Sequence, residues 1–201
     1  ASGQFKPAGE AGRDHWNQVW AASLLEIPPF IRSGQVLRVN QQFVRPKDPW
    51  LELHWYLDFR TNLLKTYFRD VPAIYEFGCG NGWNLMAART LYPKKLLTGL
   101  DWAPSALDWL PPGITRRVFD FFRPDYNVKL PAGSGVLTVG ALEQTGTDWG
   151  AFLEYLLANH PAVCVHVEPI LDWYDPKNPV DATAIEYHRA RKYWEGFPVH
   201  M

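Results

Sequence analysis

Three glycines at alternate positions follow a short apolar segment and could form a ligand-binding turn. Gly78, Gly80 and Gly82 come directly after residues 73–77, which suit a buried strand. Glycines let the chain turn tightly and let a ligand approach the backbone, and the helix expected next offers free N–H groups. The spacing is similar to the dinucleotide-binding pattern G-x-G-x-x-G, but the third glycine comes one residue early and Trp83 holds the sixth position. Because that position needs a small residue, the pattern weakens a nicotinamide-dinucleotide interpretation.

Two acidic residues lie at the ends of the next two apolar segments. Asp101 follows segment 95–100, 23 residues after the first glycine, and Asp120 stands with Phe121 at the end of segment 115–121. After a glycine-rich turn, a carboxylate can accept hydrogen bonds from both hydroxyls of a ribose. The alternative for Asp101 is a capping or turn acid. An acid beside an aromatic ring could hold a purine, and its alternative is an exposed turn acid next to a core phenylalanine.

Strand-like and helical segments alternate from residue 72 onward. We predict strands over 73–77, 95–100, 115–121, 135–142 and 162–168, and helices over 83–91, 104–110, 147–159 and 181–195. Asp181 is the expected N-cap of the last helix, and Gly196 is its expected end. This alternation indicates an α/β fold with a doubly wound, mostly parallel sheet and helices on both faces. Ligands bind such sheets beyond the carboxyl ends of the strands, which is where the glycines and the acids lie.

A helical N-terminal arm precedes the sheet. Helices are expected over 14–26 and from Asp48-Pro49 to about residue 69, with an irregular or weakly strand-like stretch over 34–46. We therefore expect one structural unit made of an arm, residues 1–70, and an α/β domain, residues 71–201. The arm is rich in large aromatic residues, namely Trp16, Trp20, Trp50, Trp55 and Tyr56.

Composition excludes several classes of function. The chain has 201 residues, 47% hydrophobic and 20% charged, which is typical of a globular protein and not of a disordered one. Its net charge of −1 lacks the basic field of a nucleic-acid-binding protein, and no apolar run approaches the ~18 residues of a membrane span. Two cysteines and no glycosylation motif favour a reducing, cytoplasmic location. Aromatic residues make up 15% of the chain, either as core or as the lining of a pocket for an aromatic or cationic ligand.

The arrangement Glu-x-Gly-x-Gly-x-Gly from Glu76 to Gly82, with Asp101 and Asp120 at the next two strand ends, resembles the class I S-adenosylmethionine-dependent methyltransferases. The resemblance covers residues 75–144, and the order of strands and helices extends it to residue 196. It implies a methyltransferase that uses S-adenosyl-L-methionine as its cofactor.

The resemblance also implies where the cofactor binds. The glycine turn would hold the methionine part, Asp101 the ribose, and Asp120-Phe121 with Trp102 the adenine. Residues 139–144 look like the family's fourth motif, which lies near the methionine carboxylate and the transferable methyl group. The implied cofactor contacts are Glu76, Gly78, Cys79, Gly80, Asn81, Gly82, Asp101, Trp102, Asp120, Phe121, Gly140, Ala141 and Leu142. The aromatic arm would act as a lid and acceptor pocket.

The chain departs from the family at its end. A usual class I domain finishes with an antiparallel hairpin, yet only five residues follow Gly196. The fifth strand would then be an open edge, which invites pairing with a second copy or with an additional domain.

Two acids beyond the fourth and fifth strands are candidate catalytic residues. Glu143 and Glu168 could each act as a general base or hold the acceptor. The alternatives are a solvated loop acid at 143 and a structural hydrogen-bond acceptor at 168. His166 shares a face with Glu168, but no third ligand follows at a useful spacing, so we predict no metal site and expect a core histidine. Cys79 is expected to be a small filler and Cys164 a core residue.

The sequence therefore favours methyl transfer to a small-molecule or glycan-like acceptor, since the near-neutral charge disfavours nucleic acid. A degenerate methyltransferase-like binding or scaffolding domain is the non-enzymatic alternative. A nicotinamide-dependent oxidoreductase is the other alternative, but it would need a small residue at position 83 and a Tyr-x-x-x-Lys pair or similar, which the chain lacks.

Overall fold

The computed structural model describes Gly9, residues 12–22, Ile27, Pro28 and residues 30–196. Its α-helices are α1 (Arg13–Ala21), α2 (Leu51–Tyr67), α3 (Trp83–Leu91), α4 (Pro104–Leu107), α5 (Gly150–Asn159) and α6 (Pro179–Arg191). Its strands are β1 (Leu37–Val39), β2 (Gln42–Val44), β3 (Ala73–Phe77), β4 (Leu96–Asp101), β5 (Thr115–Val118), β6 (Gly135–Val139) and β7 (Val163–Val167). Short 3₁₀ helices cover Leu142–Thr145 and Leu171–Trp173.

The central sheet has five parallel strands in the order β5-β4-β3-β6-β7. From β3 the chain moves outward to β4 and β5, then returns to the other side of β3 for β6 and β7. This change of direction opens a crevice beyond the carboxyl end of β3, where ligands bind in open α/β sheets. The predicted doubly wound α/β fold is confirmed.

Two apolar clusters cover the two faces of the sheet. Leu97 and Leu137 belong to one cluster, and Leu100 and Val136 belong to the other. Successive side chains of a strand point to opposite faces, so neighbouring residues fill different clusters. Helix α2 and the residue that follows it supply Leu64 and Phe68 to the first cluster, and α3 supplies Leu85. Helix α5 supplies Phe152 and Tyr155 to the second cluster. The strand ends are thus held on both sides, which fixes the loops that follow them.

The N-terminal arm differs in detail from the prediction. The first helix ends at Ala21, and residues 23–26 of the predicted helix lie outside the described residues. Residues 37–44 form an antiparallel hairpin, turned through Asn40 and Gln41 in the left-handed region. The second helix spans Leu51–Tyr67, and the Asp48 side chain accepts a hydrogen bond from the backbone N–H of Trp50 at 2.9 Å just before the helix begins.

The last helix is capped by a residue other than the predicted one. Asn178 is the N-cap, and its Oδ1 accepts hydrogen bonds from the backbone N–H groups of Val180 and Asp181. The Asp181 carboxylate instead accepts from Gln41 Nε2 at 2.9 Å and pairs with Arg38 of the hairpin. The predictions that Asp181 caps this helix and that it runs to residue 195 are therefore wrong, since α6 ends at Arg191.

Strand β7 is one edge of the sheet, and the described residues contain no strand after it. Cys164 is exposed on this strand, so the expectation that it lies in the core is wrong. That a second copy or an additional domain covers this edge stays a prediction. In the described part of the chain, no helix combines the length and apolar character that crossing a membrane requires.

Candidate active site

A cavity of about 930 Å³, measured with its open mouth, lies at the carboxyl ends of β3, β4 and β6. Two walls enclose it. The strand-end wall consists of the glycine turn, the residues after β4 and β5, and the residues after β6. The arm wall consists of residues from the N-terminal arm, and it is formed by Trp16, Trp20, Pro28, Phe30 and Tyr56.

The glycine turn brings the backbone close to its neighbours. Gly78 has φ +70°, and a Cβ there would lie 2.2 Å from the Cβ of Ala141. Gly80 has φ +50°, and a Cβ there would meet the Trp20 ring at 2.5 Å. Both values are shorter than any real contact, so only glycine fits at these two positions. The turn therefore lets the strand-end wall and the arm wall meet directly at Gly80.

Asp101 ties the glycine turn to the end of β4. Its Oδ2 accepts a hydrogen bond from the backbone N–H of Gly80 at 2.9 Å, and its Oδ1 accepts from Ala103 at 2.9 Å. Burial raises the pKa of the Asp101 carboxyl to about 6. Each carboxylate oxygen has a second lone pair. The side chain thus faces the turn and lines the cavity, as the ribose hypothesis requires.

A chain of hydrogen bonds crosses the base of the cavity from α2 to β3. The Tyr56 hydroxyl donates to Asn84 Oδ1 at 2.9 Å, and Asn84 Nδ2 donates to Glu76 Oε1 at 2.7 Å. The other carboxylate oxygen of Glu76 is buried and has no hydrogen-bond partner among the described residues. Burial raises the pKa of Glu76 to about 8. A buried oxygen without a partner is unfavourable, so a hydrogen-bond donor on a ligand would be stabilised here.

Ten of the predicted cofactor contacts line the cavity. They are Glu76, Gly78, Cys79, Gly80, Asn81, Asp101, Trp102, Phe121, Gly140 and Ala141. Three others lie outside the lining. Gly82 faces Leu110, and Leu142 is fully buried in the core. Asp120 accepts from the backbone N–H of Phe122 at 2.9 Å and pairs with Arg123, although the neighbouring Phe121 and Phe122 line the cavity.

Neither candidate catalytic acid lines the cavity. Glu168 accepts hydrogen bonds from the backbone N–H groups of Ala141, Leu142 and Glu143 at 3.0–3.2 Å, which is the structural role weighed as its alternative. Glu143 is buried, so it is not a solvated loop acid, and its Oε1 accepts from Gln144 Nε2 at 2.9 Å. Both acids therefore support the wall after β6 from behind.

His166 hydrogen-bonds to Thr138 at 2.9 Å, and burial lowers the pKa of the imidazole to about 4. Within the described ranges, no group of three His, Cys, Asp or Glu side chains is placed to hold a metal ion.

Several residues of the lining were not predicted. Asn84, Phe122, Gln144 and Thr145 line the cavity. Phe122 stacks with Trp102, with ring centroids 6.1 Å apart. Asn84 is the second residue of α3, and the alternation of small and polar residues after Gly78 gave no signal for it. Gln144 is the last residue of the motif that the sequence indicated, but its side chain had no assigned role.

The aromatic arm contributes three of its five predicted residues. Trp16, Trp20 and Tyr56 line the cavity, whereas Trp50 and Trp55 are exposed and do not. Helix α1 is held against α4 by hydrogen bonds, among them one from the backbone N–H of Ser105 to Asn17 Oδ1 at 3.1 Å and one from Trp109 Nε1 to the carbonyl of Trp20 at 3.1 Å.

Trp83, the bulky residue of the turn, does not fill the cavity. It lies in the wall, and the centroid of its ring is 6.1 Å from that of the Tyr56 ring. The Arg60 guanidinium lies over the Trp83 ring, 4.7 Å from its centroid. Arg60 Nη1 also donates to the carbonyl of Trp83 at 2.9 Å. The start of α3 is therefore held at the rim of the cavity.

Comparisons with known proteins agree with this architecture. No protein-family model matches the sequence. No curated protein matches it either. Among solved structures, the chain is similar to geranyl diphosphate C-methyltransferase from Streptomyces coelicolor A3(2), with 13% identity, 92% of this chain and 77% of that chain covered, and a TM-score of 0.51. It is also similar to PigF solved with S-adenosylhomocysteine (SAH), with 17% identity, 72% and 46% covered, and a TM-score of 0.50.

The plantazolicin methyltransferase BpumL gives a TM-score of 0.46 at 17% identity, with 67% of this chain covered. The chain spans 54–58% of the length of the BpumL structures that it matches. The parallel strand order, the glycine turn after β3 and the cavity at the strand ends are all features of one architecture. The chain therefore has the fold of the class I S-adenosylmethionine-dependent methyltransferases.

Proposed function

We propose that this protein is an S-adenosyl-L-methionine-dependent methyltransferase that acts on a small molecule. The observation that carries the proposal is the charge of the cavity. Its described lining contains two acids, Glu76 and Asp101, and no lysine, arginine or histidine. A buried site with this balance favours a cation, because an opposite charge offsets the desolvation of the carboxylates. S-adenosyl-L-methionine carries a sulfonium and an ammonium group.

The residues present fit the cofactor. The unpaired Oε2 of Glu76 can accept from the ammonium group, beside the glycine turn. Asp101 can accept from the ribose hydroxyls with its remaining lone pairs. Trp102, Phe121 and Phe122 offer ring faces for the adenine at the ends of β4 and β5. Asp120 is left out of this assignment because it does not line the cavity.

When bound, the cofactor would supply a methyl group on a positively charged sulfur, which would keep the electron pair of the S–C bond, and an O–H or N–H acceptor that takes the methyl group on a lone pair would lose its proton to water. No acid or base of the described lining is placed for that proton beyond Glu76 and Asp101, so the main task of this chain is positioning. Holding two reactants in line can contribute up to ~7–11 kcal/mol. The arm, residues 1–70, would close over the reactants as a lid.

The structural neighbours support the same assignment. Geranyl diphosphate C-methyltransferase was solved with SAH and with a small-molecule substrate, and PigF was solved with SAH. A nicotinamide dinucleotide fits less well, because its two phosphates would face two acids with no cation in the described lining. Both cysteines are free thiols, which is consistent with a reducing compartment such as the cytoplasm.

Calorimetric titration of the protein with SAH and, separately, with NAD tests the proposal. We expect SAH to bind with micromolar affinity and NAD to give no heat. Asp101→Asn should weaken SAH about tenfold, since it removes a charge-assisted acceptor. The matched control is Asp108→Asn, an exposed aspartate at the end of α4, which should bind SAH like the wild type. Heat with NAD and none with SAH would overturn the proposal. SAH binding without methyl transfer to any acceptor would favour the scaffolding alternative.

A further inference from the structure

Gln144, a residue of the cavity lining, has one side-chain oxygen without a hydrogen-bond partner among the described residues. The residue is 6% exposed and lines the cavity beside Gly140 and Ala141. Its Nε2 donates to Glu143 Oε1 at 2.9 Å, while its Oε1 is buried with no partner among the described residues. The oxygen of an amide held in this way can accept a hydrogen bond from a donor on a ligand. The cavity thus has two unpaired acceptor oxygens, one on Glu76 and one on Gln144.

The orientation of Gln144 is fixed from behind. Glu143 is buried, and its burial and the charge of Glu168 raise the pKa of its carboxyl to about 8, against the smaller opposing effects of Gln144, Arg191 and Tyr193. The backbone carbonyl of Gln144 also accepts from the N–H of Gly9 at 2.9 Å. The amide N–H₂ of Gln144 donates to Glu143 Oε1, so the amide oxygen is the end of the side chain that has no partner among the described residues. Glu143 is therefore a positioning residue that acts through Gln144.

The arm wall and Trp83 are largely aromatic, and the described cavity lining contains no lysine, arginine or histidine. Phe30, Tyr56 and Trp83 form a series of rings with centroids 5.6 and 6.1 Å apart, and Trp16 stacks on Trp20 at 6.5 Å. Flat rings gain most from packing against such side chains. An anionic acceptor would lose its hydration without a cation in the described lining to replace it. A sugar would bring several hydroxyl groups to a lining with few free polar atoms.

We infer that the acceptor is an uncharged aromatic molecule whose nucleophilic O–H or N–H donates a hydrogen bond to Gln144 Oε1. The inference rests on the proposed function, and it specifies the substrate class of the same cavity. Gln144 would orient the nucleophile, and the rings of the arm wall would hold the body of the molecule.

The test measures binding of three bicyclic probes to the SAH-loaded protein by NMR titration. Indole has an N–H donor, benzofuran has the same shape without a donor, and indole-5-carboxylate adds a negative charge. We expect indole to bind about threefold to tenfold more tightly than benzofuran, and the carboxylate to bind less tightly than indole. In Gln144→Leu the preference for indole should vanish, whereas Gln42→Leu, an exposed glutamine on β2, should keep it.

Each outcome has a defined meaning. Equal binding of indole and benzofuran by the wild type, binding of neither, a preference that survives in Gln144→Leu, or tighter binding of the carboxylate would overturn the inference. The inference would also be overturned if Gln144→Leu lost as much affinity for SAH as it lost for indole, because the Gln144 oxygen would then bind the cofactor. SAH binding by the wild type, measured in the same samples, distinguishes a failure of the proposed function from a failure of the inference about the acceptor. If SAH binds while the probes are not discriminated, only the inference fails, and if SAH does not bind, the proposed function fails and the inference falls with it.

Discussion

The two walls of the cavity are built in different ways. In the strand-end wall, the backbone N–H groups of Gly78 and Cys79 both donate to the carbonyl of Leu100, at 2.7 and 3.0 Å, and Asp101 accepts from Gly80. This wall is part of the hydrogen-bond register between two central strands. The arm wall consists of side chains from helices and loops that lie on the sheet domain through a few hydrogen bonds. The difference indicates that the strand-end wall is a rigid surface for the cofactor and that the arm wall is an adaptable surface for the acceptor.

The comparison predicts that the largest losses come from the strand-end wall. Gly78→Ala forces a left-handed conformation on a side chain and places its Cβ on that of Ala141. We expect the free energy of unfolding to fall by about 3 kcal/mol and SAH affinity to fall more than tenfold. Chemical denaturation and calorimetry measure the two effects.

Gly133→Ala is the matched control for this change. Gly133 has φ +79°, but a Cβ there would meet only Pro72, at an ordinary 3.5 Å. It should lose about 1 kcal/mol of stability, from the backbone alone, and no SAH affinity. The double variant Gly78→Ala with Ala141→Gly should recover part of the stability and of the SAH affinity that Gly78→Ala alone loses. Equal effects at positions 78 and 133 would show that crowding at the turn does not matter.

A smaller loss is expected from the arm wall. Trp20→Ala removes the ring that covers Gly80, so SAH affinity should fall about threefold to tenfold with little change in the free energy of unfolding. Trp50→Ala is the control, because Trp50 is exposed and outside the lining, and it should change neither quantity. A Trp50 effect as large as that of Trp20 would mean that the arm acts through its general stability and not as a wall.

The sequence predicted the strand-end wall better than the arm wall, for a physical reason. The bounds 73–77 and 83–91 agree with β3 and α3, because glycines, an apolar run and a proline mark them locally. Asp101 was placed by its position at a strand end. Asp120 was misplaced because the register of β5 decides how far the strand extends, and register depends on the partner strand.

Side-chain partners could not be read from spacing. Glu168 looked like a candidate base, but it points at three backbone N–H groups of the neighbouring loop, which only the pairing of β6 with β7 brings within reach. The orientation of the Gln144 side chain depends on its hydrogen bond to Glu143 and on the residues at the end of the chain that pack against Glu143. Which aromatic residues of the arm reach the cavity is likewise set by how α1 and α2 lie on the sheet.

The central claim is that Glu76 Oε2, the carboxylate oxygen without a hydrogen-bond partner among the described residues, accepts from the ammonium group of the cofactor. At pH 7 the free protein holds Glu76 protonated, because burial raises its pKa to about 8. A cation at Oε2 favours the ionised form and lowers that pKa, so binding must release a proton and must strengthen as pH rises towards 8. Above about pH 8 the carboxyl is already ionised, and the release should disappear.

Calorimetric titration with SAH at pH 7, in two buffers of different ionisation enthalpy, counts this proton directly. The account predicts close to one proton released by the wild type and almost none by Glu76→Gln. No proton release by the wild type, or the same release by Glu76→Gln, would contradict it.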